Sequence, residues 1–299
     1  MIVQASASLG PHNRRMALTT PRRPVARMWP PAARWREQVL MLVVRDTRGC
    51  ELGEHERLNR FPANPYCCIT WMLEGEARLV AQGDDARDQP LPRQFVHGCQ
   101  TRPCVSRNDG ERHSFCIAFY PDAFHALFGI DLATLQDAFL DAAQVLPTHG
   151  LRLLAAVADA RDDDDRRRVV DAFLAAHATP LHASPWLRLR RMGVNIGLHL
   201  AGGLLGVGPR QVQRLARREA GMSVPGLSRL WRSERSFRQA RATLARGQAI
   251  DWAANAAEAG YADQSHLVRD CKEISGRTPT QIVEAARRDE ADWIFRLWN

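Results

Sequence analysis

Near the C-terminus, one short stretch combines a glycine turn with side chains that can hydrogen-bond the edges of DNA bases. Gly260 forms a turn that leads into a short helix carrying Gln264 and running to about Ser275, and Pro279 blocks further extension of that helix. The side chains on one side of the helix are Gln264, Ser265, Val268 and Arg269. Arginine suits guanine and glutamine suits adenine in the major groove. The stretch therefore predicts the second half of a helix-turn-helix.

A second stretch upstream has the same design. A glycine-rich turn at 206–208 leads to Pro209, which suits the first position of a helix, and Gly221 is placed to end that helix. The polar side chains on this helix are Arg210, Gln213, Arg214, Arg217 and Arg218. A long apolar-striped helix over 225–246 follows. Its length of about 30 Å fits two major-groove segments about 34 Å apart.

These C-terminal residues closely resemble the DNA-binding domain of the AraC/XylS family of bacterial transcription regulators. The resemblance covers 186–285 and includes the closing turn Gly276-Arg277-Thr278-Pro279. It implies two helix-turn-helix units on a linker helix, with base-reading residues Arg210, Gln213 and Arg214 in the first unit and Gln264, Ser265, Val268 and Arg269 in the second. The residues expected to contact phosphates, which set register rather than sequence, are Arg217, Arg218 and Lys272.

The first unit departs from the family pattern more than the second does. Gly208 stands where serine or threonine would cap the helix, and Ala216 corresponds to the place at which the second unit has Cys271. The family usually has phenylalanine at Cys271. We expect the first unit to be less stable or less specific than the second.

Formal charge is segregated along the chain. The first 36 residues carry seven arginines and no acidic residue, 37–179 carry a net charge of −7, and 180–299 carry +8. Lys272 is the sole lysine, which a GC-rich genome explains, but such a bias does not separate the two signs of charge. The basic C-terminal third indicates a polyanionic partner, double-stranded DNA.

The N-terminal half has the alternating pattern of β-strands, and its pattern becomes helical after residue 122. Apolar β-forming runs occur at 39–44, 66–73, 77–81 and 114–119, with turn residues between them. Apolar residues at helical spacing follow, including Leu132, Leu135 and Phe139. This half bears a fainter resemblance to the cupin-like regulatory domain of some AraC-type regulators. The fold class expected is α+β, with a cupin-like β-barrel followed by an all-α domain.

Four segments are expected from these patterns. Residues 1–36 are a disordered basic leader, which either contacts DNA as an arm or precedes a later start at Met16 or Met28. Residues 37–179 form the effector and dimerisation domain, 186–285 form the DNA-binding domain, and 286–299 form a tail. The boundary between the two domains is placed at 180–185, where prolines interrupt the helical pattern.

Histidines and cysteines in the N-terminal half raise the question of catalysis. His97, His113 and His125 do not form the His-x-His pair of a metal-binding cupin, and no Cys-x-x-Cys pair exists. The adjacent Cys67 and Cys68 would point to opposite faces of a strand. We expect no catalytic residue, metal or cofactor. A metal cupin or a cysteine-based enzyme fused to a DNA-binding tail, a thiol switch, and a zinc site remain as alternatives.

Composition bounds the cellular setting. The chain has 299 residues, of which 45% are hydrophobic and 25% charged, as in an ordinary two-domain soluble protein. No apolar run approaches the roughly 20 residues that cross a bilayer, and the N-terminus has no signal-peptide core. Seven cysteines do not predict a disulfide framework. We expect a cytoplasmic regulator without membrane contact.

The function expected is sequence-specific binding of promoter DNA, tuned by a small-molecule effector that the sequence does not identify. Such a regulator recruits or excludes RNA polymerase, and the apolar helical stripes in 122–179 favour a homodimer. The competing hypothesis is an interaction protein whose C-terminal bundle has lost DNA binding, and Ala216 and Cys271 are its only support.

Overall fold

The computed structural model describes residues 22–178 and 206–296, together with Leu187 and Gly203, and joins a β-rich N-terminal part to a helical C-terminal part. The strands are β1 Val25–Trp29, β2 Val39–Asp46, β3 Leu58–Phe61, β4 Cys67–Glu74, β5 Ala77–Gln82, β6 Asp85–Pro90, β7 Gln94–His97, β8 Cys104–Asn108, β9 His113–Phe119 and β10 Phe139–Asp141. The architecture is α+β, as expected. In the described part of the chain, no helix is long and apolar enough to cross a membrane.

The helices fall into two groups, one on each side of the gap in the described residues. The N-terminal group comprises α1 Pro121–Phe128, α2 Ala142–Val145, α3 Thr148–Asp159 and α4 Asp163–His177. The C-terminal group comprises α5 Pro209–Ala220, α6 Val224–Ala245, α7 Trp252–Ala259, α8 Gln264–Ser275, α9 Pro279–Arg288 and α10 Trp293–Arg296.

Two antiparallel sheets form the N-terminal domain. Their strand orders are β1-β2-β9-β4-β7-β10 and β3-β8-β5-β6. Successive side chains of a strand point to opposite faces, and β4 shows how the larger sheet uses both faces. Ile69 and Trp71 pack with the helices in the main hydrophobic core, while Cys68, Thr70 and Met72 line a cavity between the sheets. The strands expected at 39–44, 66–73, 77–81 and 114–119 are confirmed.

The helical layer covers one face of the larger sheet. Phe124 and Phe128 of α1 pack on Phe119, with ring centroids 5.6 and 5.9 Å away. Trp71 Nε1 donates a hydrogen bond of 3.1 Å to the Leu154 carbonyl in α3. This layer holds the N-terminal domain together independently of the cavity on the other face of the sheet.

The helical pattern expected across Leu132, Leu135 and Phe139 is wrong. Leu132–Leu135 form a single 3-10 turn that the Asp131 side chain caps, and Phe139 begins β10. Phe139 lies opposite His97 of β7. The spacing of three and four that suggested a helix reflects two buried leucines in one turn and an aromatic residue in a strand.

The expectation of a disordered leader over 1–36 is wrong for its last part. Val25–Trp29 pair with the last five residues of β2, with Val25 opposite Asp46 and Trp29 opposite Leu42. The residues around β1 are rich in proline and arginine, and its partner strand β2 comes later in the chain. The local composition therefore did not indicate a strand. Residues 1–21 lie outside the described residues.

The C-terminal helices begin and end at local signals. Gly221, with φ of +73°, ends α5 in the left-handed conformation, and the Ser223 side chain caps α6. Thr278 and Gln281 form a capping box at the start of α9. The helices expected from Pro209, over 225–246 and over 264–275 are confirmed. The domain boundary expected at 180–185 lies outside the described residues.

The segment expected as a C-terminal tail is part of the fold. α9 continues to Arg288, past the expected domain end at 285. A 3-10 turn, Glu290–Asp292, and α10 follow and pack against β3. Trp293 and Phe295 are both buried. We call residues 289–296 the C-terminal return segment.

Candidate nucleic-acid interface and its contacts with the sheet domain

The helix α8 divides its residues between an exposed face and a buried one. Leu267, Cys271 and Ile274 are buried. The predicted DNA contacts Gln264, Ser265, Arg269 and Lys272 are exposed, and Val268 is half-buried. The Asp263 side chain accepts a hydrogen bond of 2.7 Å from the His266 backbone N–H, which fixes the start of the helix. The four polar residues predicted from the sequence are thus available to a partner.

The helix α5 has the same division. Val212, Ala216 and Ala220 are buried, and the exposed predicted contacts are Arg210, Arg214, Arg217 and Arg218, with Gln213 half-buried. Arg218 pairs with Glu219. Within the described ranges, no carboxylate lies within 4 Å of the charged groups of Arg210, Arg214, Arg217, Arg269 or Lys272. Their positive charge is available to phosphate.

Two of the positions that depart from the family pattern are core positions. Ala216 and Cys271 are both fully buried. Cys271 packs with Ile282 and Phe295, and burial raises the pKa of its thiol to about 12, so the thiol stays protonated. Gly208 precedes α5 without a side-chain cap, as its sequence predicted.

The linker helix α6 fixes the second unit in place. Arg229 forms an ion pair with Asp270 and a second, of 2.6 Å, with Glu273 on α8. Ser236 donates a hydrogen bond to Asn255 of α7, whose amide in turn donates to the Ser236 carbonyl at 3.0 Å. Because Ser236 and Asn255 are buried, this reciprocal pair resists rotation of the second unit about α6.

Both units also contact the sheet domain. The Cys99 thiol donates to the Gly221 carbonyl at the end of α5, with 2.8 Å between sulfur and oxygen. The Ala63 backbone N–H donates to the Ile274 carbonyl of α8 at 2.7 Å. Tyr66 donates to Glu234 in the middle of α6 at 2.5 Å. The sheet domain therefore touches each recognition helix and the helix that joins them.

The C-terminal return segment supplies a fourth attachment. Trp293 Nε1 donates to Asn59 Oδ1 at 2.8 Å, and its ring packs edge-on against Phe61 with 5.9 Å between centroids. Arg60 and Arg277, from the two domains, both bind the fully buried Asp292, at 3.4 and 2.7 Å. A buried carboxylate shared by two guanidinium groups ties the domains together by charge as well as by packing.

A cavity of about 170 Å³ lies between the two sheets and is bordered on one side by the C-terminal domain. Leu230, Glu234 and Phe237 of α6 form part of its wall, together with Trp293. Two buried arginines, Arg45 and Arg112, also line it. Sequence reasoning missed them, although Arg45 directly follows the apolar run of β2, where an uncompensated charge is unexpected.

The structure separates the three histidines considered for a metal. His97 lines the cavity, where burial lowers its pKa. His113 lies 3.2 Å from Asp163, and His125 bonds to the Ile130 carbonyl at 2.7 Å. Among the described residues, no group of three or more His, Cys, Asp or Glu side chains could hold a metal ion.

The seven cysteines are all unpaired thiols. Cys67 packs in the main core, whereas its neighbour Cys68 lines the cavity, so the two point to opposite faces as the strand pattern predicted. Burial raises the pKa of Cys99 and of Cys104 to about 12. These thiols are protonated at neutral pH.

Two family models match the chain. One, described as a helix-turn-helix domain, matches residues 203–285, which include α5 to α8. The other, described as a domain of unknown function, DUF6597, matches residues 49–141, which include β3 to β10. No curated protein sequence matches this chain.

Similar solved structures include several of ToxT from Vibrio cholerae. An apo variant has a TM-score of 0.45 and 14% identity over 82% of this chain and 96% of the ToxT chain. Wild-type ToxT with bound unsaturated fatty acid has a TM-score of 0.41 and 14% identity over 80% and 93% of the two chains. A further ToxT structure has a TM-score of 0.40 and 12% identity over 76% and 96%.

Proposed function

We propose that a small molecule bound in the cavity beside α6 controls the activity of this protein. The protein is an AraC-type DNA-binding transcription regulator, and its residues 203–285 form the helix-turn-helix domain. One observation carries the proposal. The helix that joins the two DNA-binding units is also a wall of the cavity, through Leu230, Glu234 and Phe237. A molecule in the cavity therefore contacts the element that sets the distance between the recognition helices.

Sequence-specific contacts are assigned to the exposed faces of α5 and α8. Arg269 and Gln264 in the second unit, with Arg214 in the first, are proposed to read base edges in two successive major-groove segments. Arg217, Arg218 and Lys272 bind phosphates and supply affinity that is independent of sequence. The exposure of these residues supports the assignment, as does the absence, among the described residues, of a carboxylate within 4 Å of Arg214, Arg217, Arg269 or Lys272.

Control by the effector works through the contacts between the domains. Cys99 holds the end of α5, Ala63 holds α8, and Tyr66 holds α6. A ligand that moves the cavity wall changes all three contacts together and thereby biases the relative position of the two units. The regulator then acts in the cytoplasm by recruiting or excluding RNA polymerase.

Homodimer formation is assigned to the helices of the N-terminal domain. Leu151 on α3 is 39% exposed, which is unusual for a leucine in this structure. Light scattering of the full chain tests the assignment, because a monomer at micromolar concentration would contradict it.

The test of DNA recognition is selection of bound sequences from a random pool by the full-length protein, followed by a salt series on the selected site. We expect two short motifs about one helical turn apart and an affinity that falls steeply with salt. Arg269→Ala should cost about 1–3 kcal/mol and relax one base position. Arg217→Ala should weaken all sequences alike.

The matched control is Arg93→Ala, which removes an exposed arginine from the sheet domain. It should leave both motifs and the salt dependence unchanged. If Arg269→Ala binds the selected site as well as wild type does, the assignment of base readers is wrong. The selection is run both without additives and with added small-molecule extracts. If no sequence is enriched in either case, the proposal of sequence-specific regulation fails.

A further inference from the structure

Three thiols line the cavity between the sheets, and they differ in exposure. Cys68 on β4 and Cys104 on β8 are buried. Cys116 on β9 is half-buried, so part of its surface stays accessible. Because a thiol reacts only with a reagent that reaches it, Cys116 is the cavity thiol that is placed to react.

The register of β4 and β9 sets the relation between Cys116 and Cys68. Cys116 lies opposite Thr70 and Cys68 lies opposite Ala118, so the two cysteines are diagonal neighbours on the cavity face. The Cα atoms of such a pair are about 7–8 Å apart, beyond the range in which a disulfide closes without backbone movement. The Cys68 thiol instead forms a hydrogen bond with the sulfur of Cys116.

The surroundings of Cys116 stabilise its thiolate form. The hydrogen bond from Cys68 has the largest effect, and together with a hydrogen bond from the Thr70 hydroxyl and the positive charge of Arg112 it outweighs burial. The pKa of the Cys116 thiol is therefore below its usual value. Cys68 is the donor of the pair, since its bond to Cys116 and its burial both raise its own pKa. The thiolate is the nucleophilic form of cysteine.

Arg112 is a buried cation whose hydrogen-bond acceptors are neutral. Its Nε donates to Ser114 Oγ at 3.0 Å, and its Nη1 donates to Asn108 Oδ1 at 3.1 Å. No carboxylate of residues 22–178 or 206–296 lies within 4 Å of its guanidinium. Burial lowers the pKa of Arg112 to about 10, which leaves the group charged at neutral pH. The negative charge of a Cys116 thiolate favours this buried cation in turn.

Cys50 shows how a half-buried thiol behaves without these partners. Its sulfur donates to the Arg48 carbonyl, with 3.7 Å between sulfur and oxygen. Burial raises the pKa of this thiol, so it stays protonated at neutral pH. The five cysteines other than Cys50 and Cys116 are buried. Cys50 is therefore an internal reference for the reactivity of Cys116.

We propose that Cys116 is a site of covalent modification by compact α,β-unsaturated carbonyl compounds that enter the cavity. The cavity volume of about 170 Å³ is close to that of an engineered cavity of roughly 150 Å³ that binds benzene, so a body of about one ring fits. The apolar wall, which includes Met72, Leu79 and Phe95, suits the hydrocarbon part of such a molecule.

The addition consumes no oxidant or reductant. The sulfur of Cys116 forms a bond to the β-carbon, and the electron pair of the carbon–carbon double bond moves to the α-carbon. The α-carbon takes up a proton from water, which balances the proton that the thiol released. The product is a thioether that retains the carbonyl group.

The inference rests on the proposed function only where it joins the adduct to DNA binding. Cys116 packs against the cluster formed by Tyr66, Cys68 and Ala118. Tyr66 donates to Glu234 of the linker helix α6. A ring attached to Cys116 lies beside Tyr66 and is expected to disturb this contact between the domains.

The experiment is incubation of the full-length protein with cyclohex-2-enone, followed over time by intact mass measurement and peptide mapping. We expect a mass gain of one probe molecule on Cys116, with a rate constant about tenfold or more above that of Cys50, because the more acidic thiol has the larger thiolate fraction. Cyclohexanone, which lacks the double bond, should give no adduct. In protein unfolded by urea, the two cysteines should react at similar rates.

Variants of the two half-buried cysteines identify the modified residue. Cys116→Ser should remove the fast adduct, and Cys50→Ser should leave it. Thr70→Val removes one hydrogen-bond donor and should slow the modification of Cys116 about threefold or more, without slowing that of Cys50.

Arg112→Gln tests the role of the buried cation. It should slow the modification of Cys116 about threefold or more, since the thiolate loses a nearby positive charge. Arg107→Gln, which changes an exposed arginine on β8, is the matched control and should leave the rate unchanged.

Equal rates at Cys116 and Cys50 in the folded protein would overturn the inference. An unchanged rate at Cys116 in Thr70→Val would overturn it as well. A bond between Cys68 and Cys116 without bound probe would also do so, because the pair would then be a disulfide switch.

Titration with the selected DNA site tests the link to regulation. Modification of the wild type should change the affinity for DNA about threefold or more, and probe treatment of Cys116→Ser should not. Unchanged affinity of the modified wild type would contradict the coupling through Tyr66. The mass measurements need no DNA, so failure of the modification and failure of the DNA selection are distinguishable.

Discussion

Replacing Trp293 by alanine should weaken the attachment between the two domains more than any other single change in the C-terminal return segment. The indole is 3% exposed, donates to Asn59, packs on Phe61, and lies under the Arg45 guanidinium at 5.2 Å from its ring centre. The change removes a large side chain and leaves Asn59, itself buried, without its donor.

The magnitude follows from these contacts. Truncation of a buried tryptophan costs about 3–5 kcal/mol, and an unsatisfied buried amide oxygen adds about 1 kcal/mol. Trp293→Phe keeps most of the packing and loses the indole donor, so it should cost only about 1–2 kcal/mol. The ratio of the two losses separates packing from hydrogen bonding.

Native-state hydrogen exchange of the full-length protein is the assay, because it measures opening at each segment. Backbone amides of β3 and of residues 289–296 should exchange faster in Trp293→Ala by a factor that matches this loss of free energy. Trp35→Ala is the control, because Trp35 bonds to Asp171 of α4, away from this contact. Unchanged exchange in β3, or equal effects of the alanine and phenylalanine variants, would refute the reasoning.

Two further predictions concern a carboxylate and a glycine. Burial alone would raise the pKa of Asp46, but hydrogen bonds from Arg48 outweigh burial and lower the pKa from 3.8 to about 2. The ionised carboxylate therefore stabilises the fold above pH 4. This contribution to stability disappears as the pH falls to about 2. Asp46→Asn should lower the free energy of unfolding by about 1–2 kcal/mol at pH 7, as measured in denaturant titrations. The variant should also lose less stability than wild type between pH 4 and 2. An unchanged dependence of stability on pH would contradict the prediction. Gly221→Ala should cost about 1–3 kcal/mol, because φ is +73° and the new Cβ would lie 2.7 Å from Cys99 Sγ. Gly276→Ala is the control, because Gly276 has φ of +75° and no atom lies within 4 Å of the Cβ that alanine would add. It should lower stability, measured by thermal unfolding, less than Gly221→Ala does. Equal losses of stability in the two variants would mean that the contact with Cys99 is unimportant.

The helices of the DNA-binding domain could be predicted from the sequence because their signals are local. Pro209 and Gly221 bound α5 within one short segment, and Thr278 with Gln281 caps α9 three residues apart. Such signals need no knowledge of the rest of the chain. The exposed faces of α5 and α8 follow from the same periodicity.

Elements that depend on distant partners could not be predicted in the same way. The strand β1 exists because it pairs with β2, and Phe139 is in a strand because it pairs with His97. Neither pairing leaves a pattern in the neighbouring residues. The local composition of 1–36 therefore pointed to disorder, and the spacing of Leu135 and Phe139 pointed to a helix.

The buried arginines show the same limit for the candidate effector site. Arg45 pairs with Glu290, 245 positions later in the chain, and Arg112 is buried by strands of both sheets. An arginine in a strand is most often exposed, so sequence alone gives no reason to place either one beside a cavity. Only the folded arrangement shows that they face the same space.

The helix α10 contacts both domains at once, which bears on how such regulators can be recombined. Trp293 packs on Phe61 of the sheet domain, whereas Phe295, two residues later, packs with Cys271 and Ile282 of the DNA-binding domain. A chimera that grafts this sheet domain onto another DNA-binding half would lose one wall of its cavity unless residues 289–296 are exchanged with it. The junction that matters in such a graft lies at the end of the chain as well as at the linker.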